Sequence, residues 1–250
     1  MAVRLEFVGH ACFRVLEEGR PTLVTDPFTL TITGLGNDGM SLDGDVVIVS
    51  SLTDELHDNV SLVGGEPHVI NALDVANGRA EETINGQPVA AIPAAETPDH
   101  PDGPEDNALY AFQAGGLWFA HMGDVGYELG REELEPWAGR CDVLLALVGE
   151  GFTVPLDALD RMIEILQPTW IVPMHYALPP FGFRGVPGGN MSPVDVFLNR
   201  RPRDPVILAR HHTITFPAQR DRNGRPTIVV MEPSGYQATA GLPEFCVAPY

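Results

Sequence analysis

Apolar and polar residues alternate from the first positions of the chain. Val3, Leu5 and Phe7 lie on one side and Arg4 and Glu6 on the other, the two-residue period of a half-buried strand. The same reading predicts strands at 11–16 and 21–25, with a loop over 28–42. Residues 46–49, Val-Val-Ile-Val, form a short continuous apolar run, the mark of a strand buried on both faces, and a polar turn follows at 51–58. Further strands are expected at 68–70 and 88–92, with a helical or irregular piece at 72–80. Residues 94–107 are rich in proline, glycine and acids and predict an exposed loop. Residues 109–113 and 117–120 flank Ala-Gly-Gly and predict a hairpin.

Downstream, residues 142–148 are an apolar strand. The period then changes. Leu156, Leu159, Ile163 and Leu166 recur at helical spacing, so 153–167 predicts a helix with one buried stripe, Thr153 as its cap and Gln167-Pro168 as its end. Residues 170–176 are a short strand that delivers His175 at its end. A glycine- and proline-rich stretch runs from 177 to 203, with a short helix at 192–199. Final strands are expected at 210–216 and 227–232. Strands, a few helices and long connections predict an α/β sandwich with two facing sheets.

Composition narrows the classes. The chain has 250 residues, enough to bury a core without staples, and we expect one domain over 1–250. Net charge is −19 and lysine is absent, so phosphate backbones and anionic lipid surfaces are poor partners; neither nucleic acid nor membrane is expected. No apolar run reaches membrane-span length, and the first residues lack the basic start and long apolar run of a signal peptide. Three scattered cysteines make neither a disulfide framework nor a thiolate zinc site. A reducing cytoplasm is the expected location, with Cys12 buried among strand apolars.

Candidate chemistry sits at strand ends. The segments 5–15 with 25–27 (Thr-Asp-Pro), His121-Met-Gly-Asp124 and Ile171–Tyr176 together resemble the metallo-β-lactamase superfamily, in the branch that includes ascorbate-6-phosphate lactonase. The resemblance implies a four-layer αββα sandwich. It also implies a His-x-His-x-Asp-His turn after a strand, a third histidine, a Gly-Asp aspartate and a late histidine, which together bind two metals. Asp124 and His175 match the last two and are the implied catalytic centre. The turn departs from the pattern. Counted forward from the strand, the ligand places fall on Ser51, Thr53, Glu55 and Leu56. Counted back from His57, they fall on Leu52, Asp54, Leu56 and His57. Neither register keeps both histidines of the His-x-His pair, and hydroxyls or leucine are poor zinc ligands. The third histidine would lie near Glu96 or His100.

The implied metal set is therefore His57, Asp124 and His175, with Asp54 or Glu55, and Glu96 or His100 less favoured. It serves at most one divalent metal, zinc ahead of manganese or iron. The expected activity is hydrolysis of a small ester, lactone or related molecule, and the expected partner is a small-molecule substrate or ligand, with homo-oligomers left open. Phe181, Phe183 and Arg184 are candidate substrate contacts in the segment after His175. The competing reading is a metal-free descendant that binds a small molecule or protein in the old cleft; an iron redox enzyme is a third. Two histidines are less defined by the sequence. His10, in the Gly-His-Ala turn, is either a hydrogen-bonding neighbour of the site or a structural residue. His121 is expected to point away from Asp124. Arg200, Arg201 and Arg203 are expected to supply helix C-terminal charge, and His211 and His212 to be surface strand residues.

Overall fold

The computed structural model describes residues 2–29, 40–97, 106–151, 153–177, 191–217 and 224–234. Two mixed sheets face each other across a shared apolar core. The first contains β1 (Val3–Gly9), β2 (Cys12–Glu17), β3 (Leu23–Thr25), β4 (Val46–Val49), β5 (His68–Asn71) and β14 (Thr213–Phe216), in the order β14-β1-β2-β3-β4-β5. Its register is antiparallel from β14 to β3 and parallel from β3 to β5. The second contains β8 (Ala90–Ala95), β9 (Asp106–Ala114), β10 (Leu117–His121), β11 (Val143–Leu147), β12 (Trp170–Met174), β13 (Val206–Ala209) and β15 (Thr227–Met231), in the order β13-β15-β12-β11-β10-β9-β8. β10 through β13 run parallel, and β8 and β9 close the edge antiparallel. Rings from both sheets meet between them: Phe216 of the first lies 6.1 Å from Phe119 and 5.2 Å from Trp170 of the second. This is the expected α/β sandwich.

The burial pattern explains why these segments are strands. β1 alternates as predicted, with Val3, Leu5 and Phe7 buried and Arg4 exposed. β4 and β11 are buried at every position, as continuous apolar strands inside a sandwich must be. Helix α1 (Ala72–Ala76) packs near the β8–β9 edge, α2 is the single turn Arg131–Leu134, α3 spans Leu156–Leu166 and α4 spans Val194–Arg200. α3 buries Leu156, Leu159, Ile163 and Leu166, the stripe read from the sequence.

Several expectations need correction. α3 begins three residues later than predicted, and Thr153 does not cap it. Glu150, in left-handed backbone at φ 52°, accepts the Leu156 N–H at 3.1 Å instead. Residues at both ends of the expected loop 94–107 belong to β8 and β9, and Asn107 is fully buried. Strand β13 lies outside the strands expected from the sequence; its Val206, Ile207 and Leu208 are exposed, so no alternation marks it. The β6 (Thr83–Ile84) and β7 (Gln87–Pro88) hairpin was also missed, although Asn85-Gly86, both at positive φ, is the residue pair that such turns favour. His211 and His212 precede β14 and are exposed. Arg200 and Arg201 do more than carry helix-end charge. Arg200 bonds Asp157 and Asp160, and Arg201 bonds Asp160 at 3.0 Å, tying α4 to α3. Arg203 is exposed. No helix among the described residues is long and apolar enough to cross a membrane.

Candidate metal centre

β1, β3 and β4 run in one direction and β10, β11 and β12 share another, and the C-terminal ends of both sets converge on one edge of the sandwich. That edge is where open α/β sheets place ligands. β1 ends at Gly9-His10, β3 at Asp26, β4 at Ser50-Ser51, β10 before Met122-Gly-Asp124, and β12 before His175. Backbone bonds stitch the sheets there, among them the His175 N–H donating to the His10 carbonyl at 2.9 Å. Both residues adopt left-handed backbone, His10 at φ 54° and His175 at φ 52°. Non-glycine residues rarely do so, at a cost of about 1 kcal/mol or more each. Strand sequence alone gives no sign of it.

Three imidazoles and two carboxylates meet at this edge. His57 Nδ1 donates to Asp54 Oδ2 at 2.6 Å and lies 3.6 Å from Asp124 Oδ2. His175 Nε2 lies 3.3 Å from Asp124 Oδ1. His57 Nε2 faces His10 Nδ1 at 3.0 Å. Possible ligand atoms of His10, His57 and His175 all lie within 4.8 Å of one another, as do those of Asp54, His57 and Asp124. All five residues are buried; His57 and His175 are 1% exposed.

Charge in this cluster is concentrated on one ring. Burial works against a proton on His57, but Asp54 and Asp124 outweigh it and push the imidazolium up to about 10. Burial, with His57 adding to it, pushes His175 down to about 3. Burial, with His175 and His57, also holds His10 well below the ordinary histidine value. Burial likewise opposes the charged form of Asp54, yet His57 keeps it below the usual carboxylate range. The arrangement is one imidazolium between acids with two neutral imidazoles beside it; once His57 gives up its Nε2 proton, the set fits a single divalent ion.

In the turn after β4 the two counts differ in which side chains reach the cluster. Asp54 and His57 face the cluster, whereas Glu55 is exposed and its carbonyl accepts the Thr29 hydroxyl at 2.7 Å. Ser51 and Thr53, in the first ligand places of the forward register, share a hydrogen bond of 2.8 Å, and the Thr53 N–H donates to Ser51 Oγ at 3.2 Å. Thr53 is exposed, so Thr53→Ala should leave metal content unchanged and stability within about 0.5 kcal/mol. Elemental analysis and a thermal melt check this; loss of the ion would make Thr53 a ligand.

Glu96 sits at the margin. It accepts from Asn107 Nδ2 at 3.4 Å, and its carboxyl is among the groups that act on Asp54. Asn107 Oδ1 accepts the Asp124 N–H at 3.0 Å, which positions the aspartate. Sequence reasoning missed Asn107 because it lies inside a segment read as an exposed loop. It also left His10 undecided, and the structure puts that ring in the cluster. His100, Phe181, Phe183 and Arg184 lie outside the described residues.

His121 turns away from Asp124, as strand alternation predicts. Its Nε2–H donates to the Ala11 carbonyl at 2.8 Å, and Nδ1 accepts the Gly123 N–H at 3.0 Å. Burial holds this ring at about 3, against the pull of the Ala11 carbonyl. Asp26 Oδ2 lies 3.2 Å from the same Nδ1 and accepts the Tyr110 hydroxyl at 3.1 Å. Two acceptors cannot share a contact, so Asp26 carries the proton there. Burial raises it to about 7, against the opposing influence of His57 and the Ser50 N–H. The folded value exceeds the unfolded one, so Asp26 contributes stability that is full below pH ~4 and lost as pH rises through ~7. The slope is at most about 1.4 kcal/mol per pH unit. Asp26→Asn should flatten the decline between pH 4.5 and 7 in denaturant titrations; equal slopes in both proteins would refute the assignment.

The fold and the site have counterparts among known proteins. The "Beta-lactamase superfamily domain" family model matches residues 4–175. A UPF0173 metal-dependent hydrolase of Thermococcus onnurineus is 25% identical over 191 residues, covering 70% of this chain and 84% of the relative. A solved structure from Thermotoga maritima, assigned as a Zn-dependent hydrolase of the metallo-β-lactamase superfamily, is 26% identical with a TM-score of 0.65. It covers 92% of this chain and 98% of the other. A metallo-hydrolase from Ignicoccus hospitalis is 19% identical with a TM-score of 0.56, covering 93% and 96%, and shows the shared fold.

Proposed function

The chain belongs to the metallo-β-lactamase superfamily, and from that premise we propose that it is a hydrolase working with one divalent ion, zinc ahead of manganese or iron. The observation that carries this reading is the buried convergence of His57, Asp124 and His175, with Asp54 behind His57, at the C-terminal strand ends. His57, Asp124 and His175 would hold the ion. When bound, it supplies Lewis-acid polarisation of a scissile carbonyl and acidifies a coordinated water.

The chain's own residues do the rest. Asp54 takes the Nδ1–H of His57 and fixes that ring's tautomer and orientation. Asn107 holds the Asp124 backbone, and the His10–His175 backbone bond keeps the late histidine in place. Burial of the cluster lowers the local dielectric and strengthens each of these contacts. Asp124, beside His175, is placed to take a proton from an attacking water and return it to the leaving group.

The substrate class we propose is a small ester or lactone. The turn after β4 carries no imidazole before His57 in either count, which argues against a two-metal centre. The test is elemental analysis of purified protein with a panel of activated esters and lactones. One ion per chain with ester or lactone turnover is the expected result. Two ions at full occupancy would overturn the one-metal reading. No ion after incubation with zinc, manganese and iron would favour the metal-free descendant. Cephalosporin hydrolysis should be absent or slow; turnover on the order of 10 per second would contradict the assignment.

A further inference from the structure

The two ligand groups share His57 but use opposite edges of its ring. Nδ1 faces the acids, 2.6 Å from Asp54, and Nε2 faces His10 Nδ1 at 3.0 Å. An imidazole whose N–H is taken by a carboxylate offers its other nitrogen to a metal, a recurring arrangement in which the carboxylate orients the ligand without touching the ion. That places the ion on the His10 side of His57, not between His57 and Asp54.

We propose that His10 is a direct metal ligand, so that the ion is held by the imidazoles of His10, His57 and His175 with Asp124 alongside, and that Asp54 is a positioning residue for His57. This deepens the one-metal hydrolase reading and rests on it. The lost imidazoles of the turn after β4 are then replaced from a different place, the turn between β1 and β2. Ligand atoms of the three rings lie within 4.8 Å of one another. The His10 and His57 nitrogens stand 3.0 Å apart. Two ligands on a four-coordinate ion with bonds of about 2.0 Å stand about 3.3 Å apart, so a shift of a few tenths of an ångström admits the ion. The His10 and His175 rings meet edge to face with centroids 4.1 Å apart. The backbone bond from His175 to the His10 carbonyl fixes their separation. A set of three imidazoles and a carboxylate selects a borderline metal such as zinc or cobalt over manganese or magnesium, which prefer oxygen.

The test uses the full chain loaded with cobalt(II), read by elemental analysis, by the visible d–d absorption bands and by competition with a chelator. His10→Asn is the informative variant, because asparagine tolerates the left-handed backbone that position 10 requires. The metal-free variant should show an unchanged far-ultraviolet spectrum. Its cobalt affinity should fall on the order of 10³-fold, with altered bands. Asp54→Asn should keep one ion and the wild-type bands and weaken binding only about 10- to 100-fold. Wild-type affinity and bands in His10→Asn would overturn the proposal, as would complete loss of the ion in Asp54→Asn. Either result leaves the hydrolase reading intact so long as wild type binds one ion. Wild-type protein that binds no cobalt would remove both.

Discussion

Asp124→Ala should abolish hydrolysis and release the bound ion. The loss in kcat/KM is expected at 10³-fold or more, since the carboxylate contacts both His57 and His175 and would be a ligand itself. Removing one such ligand forfeits on the order of 4 kcal/mol of transition-state stabilisation, and each ~1.4 kcal/mol is tenfold in rate. The fold should survive. The Asp124 N–H that bonds Asn107 is backbone and stays in place, and the lost side chain was a buried charge among imidazoles. A thermal melt of the metal-free proteins should therefore show little difference, while elemental analysis shows the ion gone. An active, metal-loaded Asp124→Ala enzyme would mean that the centre lies elsewhere.

Gly126→Ala should be the most destabilising methyl addition among the described glycines. A Cβ at this position would stand 1.4 Å from the Glu96 carbonyl oxygen and 2.5 Å from its carbon, both backbone atoms with no rotamer to yield. The Gly126 N–H also bonds the Ala95 carbonyl at 3.0 Å, so the chain after Asp124 lies directly on the end of β8. Relief requires the two segments to part, which breaks that bond and moves Glu96 away from Asp54 and Asn107. We expect a cost of about 3 kcal/mol or more, which in a chain of this size lowers Tm by roughly 6–12 °C. Gly224→Ala is the control, because no described residue lies within 4 Å of its added Cβ; it should change stability by less than about 0.5 kcal/mol. Equal melting temperatures for the two variants would show that the segments are not in contact. Gly149 has the same character at the other histidine, its Cβ falling 2.1 Å from the His175 carbonyl oxygen.

The element pattern was legible where one physical rule dominated. Alternation marked β1, a continuous apolar run marked β4 and β11, and helical spacing marked α3, because each reports burial of one face or both against a core. Elements held by edge pairing or by a single turn left no such trace. β13 pairs with β15 while exposing Val206, Ile207 and Leu208, and the start of α3 is set by Glu150, outside the periodic segment.

For the site, the sequence by itself determined the kinds of donor available and the neighbourhood of three of them. The motif around Asp124, the strand that ends at His175 and the damaged turn before His57 are all local, so spacing reveals them. The tertiary structure decided which donors share a space. It chose Asp54 over Glu55, because only one of two adjacent carboxylates can face inward while the other meets solvent. It brought His10 to His57 across 47 positions of chain and to His175 across the two sheets, through a left-handed backbone that no residue pattern encodes. Periodicity records which way a side chain points relative to its own strand. Which strand ends meet is settled by how two sheets pack, and that depends on contacts spread over the whole chain.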